Sequence, residues 1–212
     1  MVKLQAALEA LLRTVGIGTK GTIPRLSRLP PNFEPIHTIY KRLGGVLDSP
    51  TIRLGSWDIE FNGVVLEFDE YLHFNGYRAL TLHSKCYERL PQFPLTEYKH
   101  FCAVHASDCL RAGGYAGKWT NRSCERQFGR ASPCGDLTGN GASRWKQRAL
   151  YDFAKDMLPL LHNVRVARIA IWDVIVDGPG PRTVLDVLRE PTQHSASALA
   201  NLAMSRVTGP PE

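Results

Sequence analysis

The sequence has no long apolar run, and none of its segments approaches the roughly 20 apolar residues that a membrane-spanning helix needs. It also shows no secretory pattern, because Glu9 and Arg13 interrupt the apolar positions of 3–14 and no small-residue cleavage site follows. Cysteine is scarce and odd in number, at five, which does not suit a disulfide framework. These absences predict a cytoplasmic protein with reduced thiols and no membrane partner.

The chain has 212 residues, which is enough for one domain with a sizeable core. We expect a single domain over 1–190, with a core hairpin at 52–70 and an insertion over about 85–143. A helix and a strand should follow over 144–176. Small residues dominate 191–212, which predicts a partly mobile tail.

The most informative stretch is 52–74, where two strand-like runs are joined by Asn62-Gly63, a pair that favours a two-residue hairpin turn. This turn predicts that Phe61 faces Val64, and alternation along the strands then separates an apolar face from an acidic face. The predicted apolar face consists of Trp57, Ile59, Phe61, Val64, Leu66 and Phe68. The predicted acidic face consists of Ser56, Asp58, Glu60, Val65, Glu67 and Asp69.

The acidic face is a candidate metal site. Asp58 and Glu67 are expected to face each other, and like charges in that arrangement destabilise a sheet by up to roughly 1 kcal/mol. A hard divalent cation between them reverses this effect, because such ions prefer carboxylate oxygens. His73 follows Asp69 by four residues and is either a ligand or general base, or a structural side chain. The alternative is a hairpin whose acidic face is simply solvated.

The remaining pattern predicts a mixed α/β sheet of the α+β kind, with helices on its faces. Helical spacing is found over 3–14, from Pro35 to Arg42, and from Ser143 to about Pro159. An extended stretch or third strand that leads into a short helix is expected over 78–83, and 164–176 is apolar and β-branched enough for a buried strand.

Two segments lack periodicity. Residues 15–33 are rich in glycine, proline and basic side chains, which predicts a loop or arm. Residues 113–143 also show no period, and a loop of this length is uncommon unless it is functional, disordered or stapled.

Basic residues are concentrated in 111–148, which contains eight lysines and arginines against Glu125 and Asp136. Its excess of +6 equals the net charge of the whole chain. Such a patch near an acidic metal-type face suggests a polyanionic partner, with nucleic acid as the first candidate, and a solvated basic loop is the alternative. The aromatic residues interleaved with it either stack on bases or pack the loop onto the sheet. They are Trp119, Phe128 and Trp145.

The cysteines suggest a second metal hypothesis. Cys102, His105 and Cys109 fall on one stripe of a predicted helix, with Cys124 and Cys134 in the loop that follows. A Zn²⁺ ion bound there would staple the loop. The spacing is not a Cys-x-x-Cys pairing, so ordinary core or free cysteines are favoured over zinc.

Asp58, followed by Glu67-Phe68-Asp69 and then His73, resembles the active-site block of the restriction-endonuclease-like superfamily, called PD-(D/E)XK. The very-short-patch-repair-like endonucleases are the nearest branch in this resemblance. The helix and strand over 144–176 match the later order of that core. The chain also resembles a family of uncharacterised bacterial proteins.

The resemblance implies a Mg²⁺- or Mn²⁺-dependent DNA endonuclease in which Asp58 and Glu67 bind the metal. Asp69 and His73 would complete or flank the site, with Asp69 as a further metal ligand. One departure concerns the catalytic lysine, whose usual place, two residues after the glutamate, is taken by Asp69.

In this superfamily the following helix can supply the missing lysine, so Lys146 or Arg148 is the expected substitute. Gln147 and Tyr151 also resemble the Gln-x-x-x-Tyr helix motif of the RecB-like branch, which implies that Gln147 positions a phosphate or a DNA end. The expected DNA-binding residues are Arg122, Arg126, Arg130, Arg144, Arg148 and Tyr151.

Because the lysine is displaced, a second function stays open. The chain would then be a catalytically inactive module of nuclease fold that binds nucleic acid or a protein partner. A homodimer is compatible with either function.

Overall fold

The computed structural model describes residues 4–16 and 33–209. A mixed sheet in the order β1–β2–β3 lies at its centre, with β1 at Ile59–Phe61, β2 at Val64–Asp69 and β3 at Val166–Ala170. β1 and β2 are antiparallel, whereas β2 and β3 are parallel. The α+β class predicted from the sequence is therefore confirmed.

Helices make up most of the remaining structure. They are α1 (Leu4–Val15), α2 (Glu34–Arg42), α3 (Gly76–Thr81), α4 (Leu95–Val104), α5 (Ala106–Gly113), α6 (Ala116–Trp119), α7 (Arg122–Phe128), α8 (Ser143–Asp156), α9 (Leu158–Leu161), α10 (Val184–Arg189) and α11 (Ser195–Ser205). Short 3₁₀ turns lie at Tyr71–His73 and Lys85–Arg89. A second, two-stranded sheet pairs β4 (Val174–Val176) with β5 (Pro181–Thr183).

The predicted hairpin register is confirmed, with Ile59 opposite Leu66 and Phe61 opposite Val64. Asn62 and Gly63 both have positive φ angles, of 50° and 72°. Two such residues form a type I′ turn, whose twist matches that of the flanking strands. The local dipeptide therefore determines the register.

The two faces of β2 are both buried. Leu66 and Phe68 belong to the main apolar core, as predicted. Trp57 was predicted on this face, but it packs with Val65 and Leu158 in a separate cluster. Strand alternation does not extend to Trp57 because β1 begins only at Ile59.

Two predicted strands were wrong in part. Residues 78–83 fall largely within α3, because the Asn75 side chain accepts hydrogen bonds from the backbone N–H groups of Tyr77 and Arg78 and caps that helix. The single strand predicted over 164–176 is divided into β3 and β4. Asp173 turns the chain between them, since its carboxylate accepts a hydrogen bond from Ala170 N at 2.7 Å.

The loop predicted over 113–143 contains α6 and α7 and is stapled by hydrogen bonds. Trp119 Nε1 donates to Ser132 O at 2.8 Å, and Asn140 Nδ2 donates to Phe128 O at 2.8 Å. Of the loop predicted over 15–33, residues 17–32 lie outside the described part of the chain.

The range predicted as a partly mobile tail, 191–212, contains the helix α11 (Ser195–Ser205). Leu199 and Ala203 of α11 are fully buried, and the helix packs against α1 and β3. Small residues at helical spacing allow this close packing. Residues 210–212 lie outside the described part of the chain.

Candidate functional site

A buried layer of charged side chains separates α8 from the sheet. Arg148, Asp152 and Asp156 are four residues apart and Lys155 follows Asp152 by three, so all four lie on one side of α8. This face lies over the acidic face of β2, with Arg148 at His73 and Lys155 at Glu67. The face predicted to be acidic therefore meets a helix and not open solvent.

The Asp69 carboxylate is hydrogen-bonded through both of its oxygens. It accepts hydrogen bonds from Arg168 at 2.7 and 2.9 Å and from the Tyr98 hydroxyl at 2.7 Å. Burial raises the pKa of Asp69, but Arg168 and His73 outweigh it and hold the pKa below the usual value. Asp69 is thus ionised and already neutralised, which leaves it poorly suited to bind the predicted metal.

His73 lies between two carboxylates. Its Nδ1 atom is 3.0 Å from Asp69 Oδ1 and 2.9 Å from Asp152 Oδ2, while Arg148 NH1 is 3.0 Å from Nε2. A guanidinium can only donate, so Nε2 must accept and Nδ1 must carry the proton. Although burial raises the pKa of Asp152, His73 and Arg168 hold it well below the usual value.

Asp69, His73 and Asp152 also have the ligand types and spacing of a metal site. Within residues 4–16 and 33–209 they are the one set of three or more His, Cys, Asp or Glu side chains whose ligand atoms all lie within 4.8 Å. A metal-bound histidine generally donates its other N–H to an acceptor. Here Arg148 is a donor, so the arrangement favours a proton on Nδ1 over a metal ion.

Asp156 completes the buried layer. It accepts hydrogen bonds from Arg78 at 2.7 Å and from the Tyr87 hydroxyl at 2.6 Å, and it pairs with Arg168. These partners of Asp156 were not predicted from the sequence. The available signal was a charged residue, Arg168, in the middle of an apolar strand, because buried charges are rare unless they are paired.

Asp58 and Glu67 form the second group, at the other end of the layer. Asp58 Oδ2 accepts a hydrogen bond from Phe68 N at 3.0 Å, and Glu67 Oε1 lies 2.5 Å from Lys155 Nζ. Lys155 also donates to Ser56 O at 3.3 Å. Asp58 and Glu67 do not form a three-membered metal-type set with Asp69 among the described residues.

The Glu67 carboxyl is perturbed by this environment. Burial raises its pKa to about 7, against the opposing effects of Arg168 and Lys155, and the nearby Asp58 carboxylate raises it further. Asp58 is therefore close enough to repel a second negative charge. A cation bound between them would favour the ionised form of Glu67.

Lys146 and Gln147 lie away from these carboxylates. Lys146 Nζ donates to Asn140 Oδ1 at 2.6 Å and lies over the Tyr77 ring, and Gln147 Oε1 accepts from the Cys124 thiol at 3.0 Å. Both side chains hold the insertion against α8. Lys155, two turns further along, is the lysine that reaches Glu67.

The predicted DNA-binding residues divide by exposure. Arg122, Arg126 and Arg130 are exposed, whereas Arg144 and Arg148 are half-buried. The Tyr151 hydroxyl donates to the backbone carbonyl of Thr51 at 3.3 Å, so its visible role is to hold the segment before the hairpin.

The aromatic residues interleaved with the basic segment are buried, which favours packing, one of the two alternatives that the sequence left open, over stacking on bases. Trp119 and Trp145 pack edge to face at 5.1 Å, and Phe128 packs on Tyr40 at 5.3 Å. Both tryptophans and Phe128 are nearly inaccessible to solvent. They pack the insertion onto the domain, which was the alternative.

The candidate zinc ligands lie in different environments. Cys102 and Cys109 are buried, and burial raises their pKa values to about 11 and about 12, which keeps the thiols protonated. His105 stacks on Trp172 at 3.7 Å. Cys134 is exposed. Protonated thiols suit packing better than metal binding.

The fold and the site together define an α+β protein in which a 14-residue helix covers a mixed sheet through an ionic layer. Residues 38–190 match a family model described as a family of unknown function (DUF7255), and the chain belongs to this family. The match includes the hairpin, α8 and β3.

No curated protein and no solved structure matches the chain. Among the described residues, no helix has the length and apolar character needed to cross a membrane.

Proposed function

We propose that this protein is a metal-dependent phosphodiesterase that cleaves nucleic acid, with Asp58 and Glu67 as the metal ligands. The observation that carries the proposal is the position of Lys155, whose Nζ atom lies 2.5 Å from Glu67 Oε1. The restriction-endonuclease-like pattern requires a lysine beside the paired carboxylates, and α8 supplies it in place of the residue at position 69. Lys155 takes the role that the sequence suggested for Lys146 or Arg148.

The two carboxylates have the chemistry for a Mg²⁺ or Mn²⁺ ion. Asp58 Oδ1 and Glu67 Oε2 have no hydrogen-bond partner within residues 4–16 and 33–209, so each side chain keeps one oxygen for a metal. Mg²⁺ commonly takes one or two carboxylates and keeps several waters. The repulsion that raises the pKa of Glu67 is also a repulsion that a divalent cation relieves.

A bound Mg²⁺ ion would supply a water of lowered pKa and neutralise charge on the phosphate. Lys155 adds a fixed positive charge where the phosphate oxygens become more negative. The protein holds this lysine in place through Ser56 O and the Trp57 ring, whose centroid is 5.5 Å from Nζ. His73 is oriented by Asp69 and Asp152, but its Nε2 atom is occupied by Arg148.

DNA is the proposed partner because exposed cations lie on the insertion next to α8. Arg122, Arg126 and Arg130 have no carboxylate partner in the described part of the chain, and they are solvent-accessible. Contacts between such side chains and phosphates make binding strongly dependent on salt.

Cleavage of plasmid and single-stranded DNA tests the proposal. The assay uses the full chain at pH 8, where Glu67 is ionised, with Mg²⁺ or Mn²⁺ and with EDTA. We expect metal-dependent cleavage that falls by at least about 100-fold in Asp58→Asn and Glu67→Gln, because each variant removes a ligand. Glu70→Gln is the matched control, since Glu70 is an exposed carboxylate just beyond β2. Absence of cleavage with both metals, or full activity in Glu67→Gln, would refute the proposal.

A second candidate is the inactive nucleic-acid-binding module. The favouring observation is that Lys155 and Arg168 already pair with Glu67 and Asp69, so the layer is electrically satisfied without a metal. This candidate predicts salt-dependent DNA binding without cleavage, and binding that Asp58→Asn leaves unchanged.

A further inference from the structure

Most charges of α8 run against the helix dipole. Its N-terminal half carries Arg144, Lys146 and Arg148 with no acidic residue in the first turn, and its last two turns carry Asp152 and Asp156 beside one basic residue, Lys155. A helix favours acidic residues at its N-terminus and basic residues at its C-terminus, each by about 0.3–1 kcal/mol. The reversed order therefore needs compensation from outside the helix.

Most of that compensation is present in the structure. Asp152 and Asp156 face Arg168, and Lys146 donates to Asn140. Arg144 and Arg148 differ, because neither has an ion pair with any residue of the described ranges 4–16 and 33–209. They lie one turn apart, where like charges repel.

Among the described residues, Arg148 has one hydrogen-bond partner, and that partner carries no negative charge. Its NH1 atom donates to His73 Nε2 at 3.0 Å, which is an uncharged acceptor in the tautomer that the bond requires. A phosphate oxygen adds the attraction between opposite charges to this hydrogen bond, and guanidinium–phosphate pairs are often bidentate. A phosphate oxygen would therefore replace the imidazole nitrogen favourably.

We propose that Arg144 and Arg148 form a phosphate-binding subsite, in which a bound phosphate takes the Arg148 guanidinium from His73 Nε2. That this phosphate belongs to a nucleic-acid backbone rests on the proposed function. Arg148 and Lys155 are seven residues apart on α8, which is about 10 Å along the helix axis at 1.5 Å per residue. One strand with regularly spaced phosphates can therefore reach both positions.

The exchange has a consequence for His73. Asp69 and Asp152 continue to hold Nδ1, so the ring keeps its orientation while Nε2 loses its partner. The imidazole becomes free to accept or donate at Nε2 only when a phosphate is present. Substrate binding and the availability of His73 are thus linked through one arginine.

Binding of inorganic phosphate to the full chain tests the subsite directly. Calorimetric titration at low ionic strength should show binding that weakens by about tenfold or more in Arg148→Ala, since a charged hydrogen bond is lost. Arg148→Lys should be intermediate, because it keeps the charge without the planar fork. Arg89→Ala is the control, as Arg89 is exposed and lies on the 3₁₀ turn Lys85–Arg89.

A second measurement follows the histidine. In protein labelled with ¹⁵N, the Nε2 resonance of His73 should move on phosphate addition in the wild type and stay constant in Arg148→Ala. Folding of the variants is checked by their backbone spectra. Absence of phosphate binding, binding that is unaffected by Arg148→Ala, or an unmoved Nε2 resonance in the wild type would each overturn the subsite.

The experiments distinguish a failure of the phosphate subsite from a failure of the proposed function. Asp58→Asn should keep full phosphate binding, because Asp58 contacts the hairpin and not the N-terminal half of α8. A wild type that binds phosphate through Arg148 but cleaves no DNA would refute the nuclease and leave the subsite in place.

Discussion

Lys155 and Glu67 form a buried ion pair, with Nζ 2.5 Å from Oε1, although 88 residues separate them in the sequence. The pair joins α8 to the central strand at one end of the ionic layer. Buried ion pairs contribute little net stability, but removal of one partner leaves an uncompensated charge. This asymmetry makes the pair testable without any assumption about activity.

Replacement of Lys155 should destabilise the protein in a pH-dependent way. We expect Lys155→Met to lower the free energy of unfolding by up to about 3–5 kcal/mol at pH 8, where the buried Glu67 carboxyl must either stay charged without its partner or take up a proton. The loss should be smaller at pH 5.5, where Glu67 is protonated because its pKa is about 7. Urea unfolding at the two pH values measures this. The double variant with Glu67→Gln should recover much of the loss, and an equal loss at both pH values would contradict the argument.

The raised pKa of Glu67 also predicts how stability changes with pH. A carboxyl whose folded pKa lies above its unfolded pKa stabilises the fold fully below about pH 4.5 and loses that contribution as pH rises through about 7. The contribution of Glu67 to the free energy of unfolding is about 3 kcal/mol, because one unit of pKa difference corresponds to 1.36 kcal/mol. The wild type should therefore lose stability relative to Glu67→Gln between these pH values. A difference in unfolding free energy between the two proteins that stays constant over this pH range would exclude a raised pKa for Glu67.

Arg168 should be the most sensitive position of the layer. It pairs with both Asp69 and Asp156, so Arg168→Met removes the one arginine that pairs with Asp69 among the described residues and leaves Asp156 with Arg78 alone as its cationic partner. We expect a loss of at least about 3–5 kcal/mol, or failure to fold. Arg189→Met, at an exposed position on α10, is the control and should change stability little. Thermal unfolding compares them, and a minor effect of Arg168→Met would mean that the layer is not tightly coupled.

The hairpin turn depends on backbone conformation alone. Gly63 has a φ of +72° and nothing within 4 Å of an added Cβ atom, so Gly63→Ala should cost about 1–2 kcal/mol through backbone strain. Gly178 also has open space around it but no positive φ, which makes Gly178→Ala the matched control. Equal stabilities of the two variants would show that the turn does not require a left-handed residue.

Sequence analysis predicted the features that depend on near neighbours. Asn62-Gly63 determined the hairpin register, because a two-residue turn leaves only one pairing. The long helix α8 followed from apolar spacing. The prediction of extended structure over 78–83 was wrong because Asn75 caps a helix that begins just before this range. The cap is a short-range signal, but the alternating pattern of 78–83 outweighed it in the prediction.

Only the tertiary structure decided which charges meet. The parallel pairing of β2 with β3 places Arg168 beside Glu67 and diverts Asp69 from the predicted metal site. The docking of α8 selects Lys155 over Lys146 for Glu67, since the helix runs opposite to β2 and its second half lies over that residue. Periodicity identifies the buried face of a helix but not its position along a strand, and that position sets which charges neutralise each other. The sequence by itself therefore determined the hairpin and the helix that covers it, while packing over long separations decided which arginine or lysine pairs with Glu67, Asp69 and Asp156 in the ionic layer.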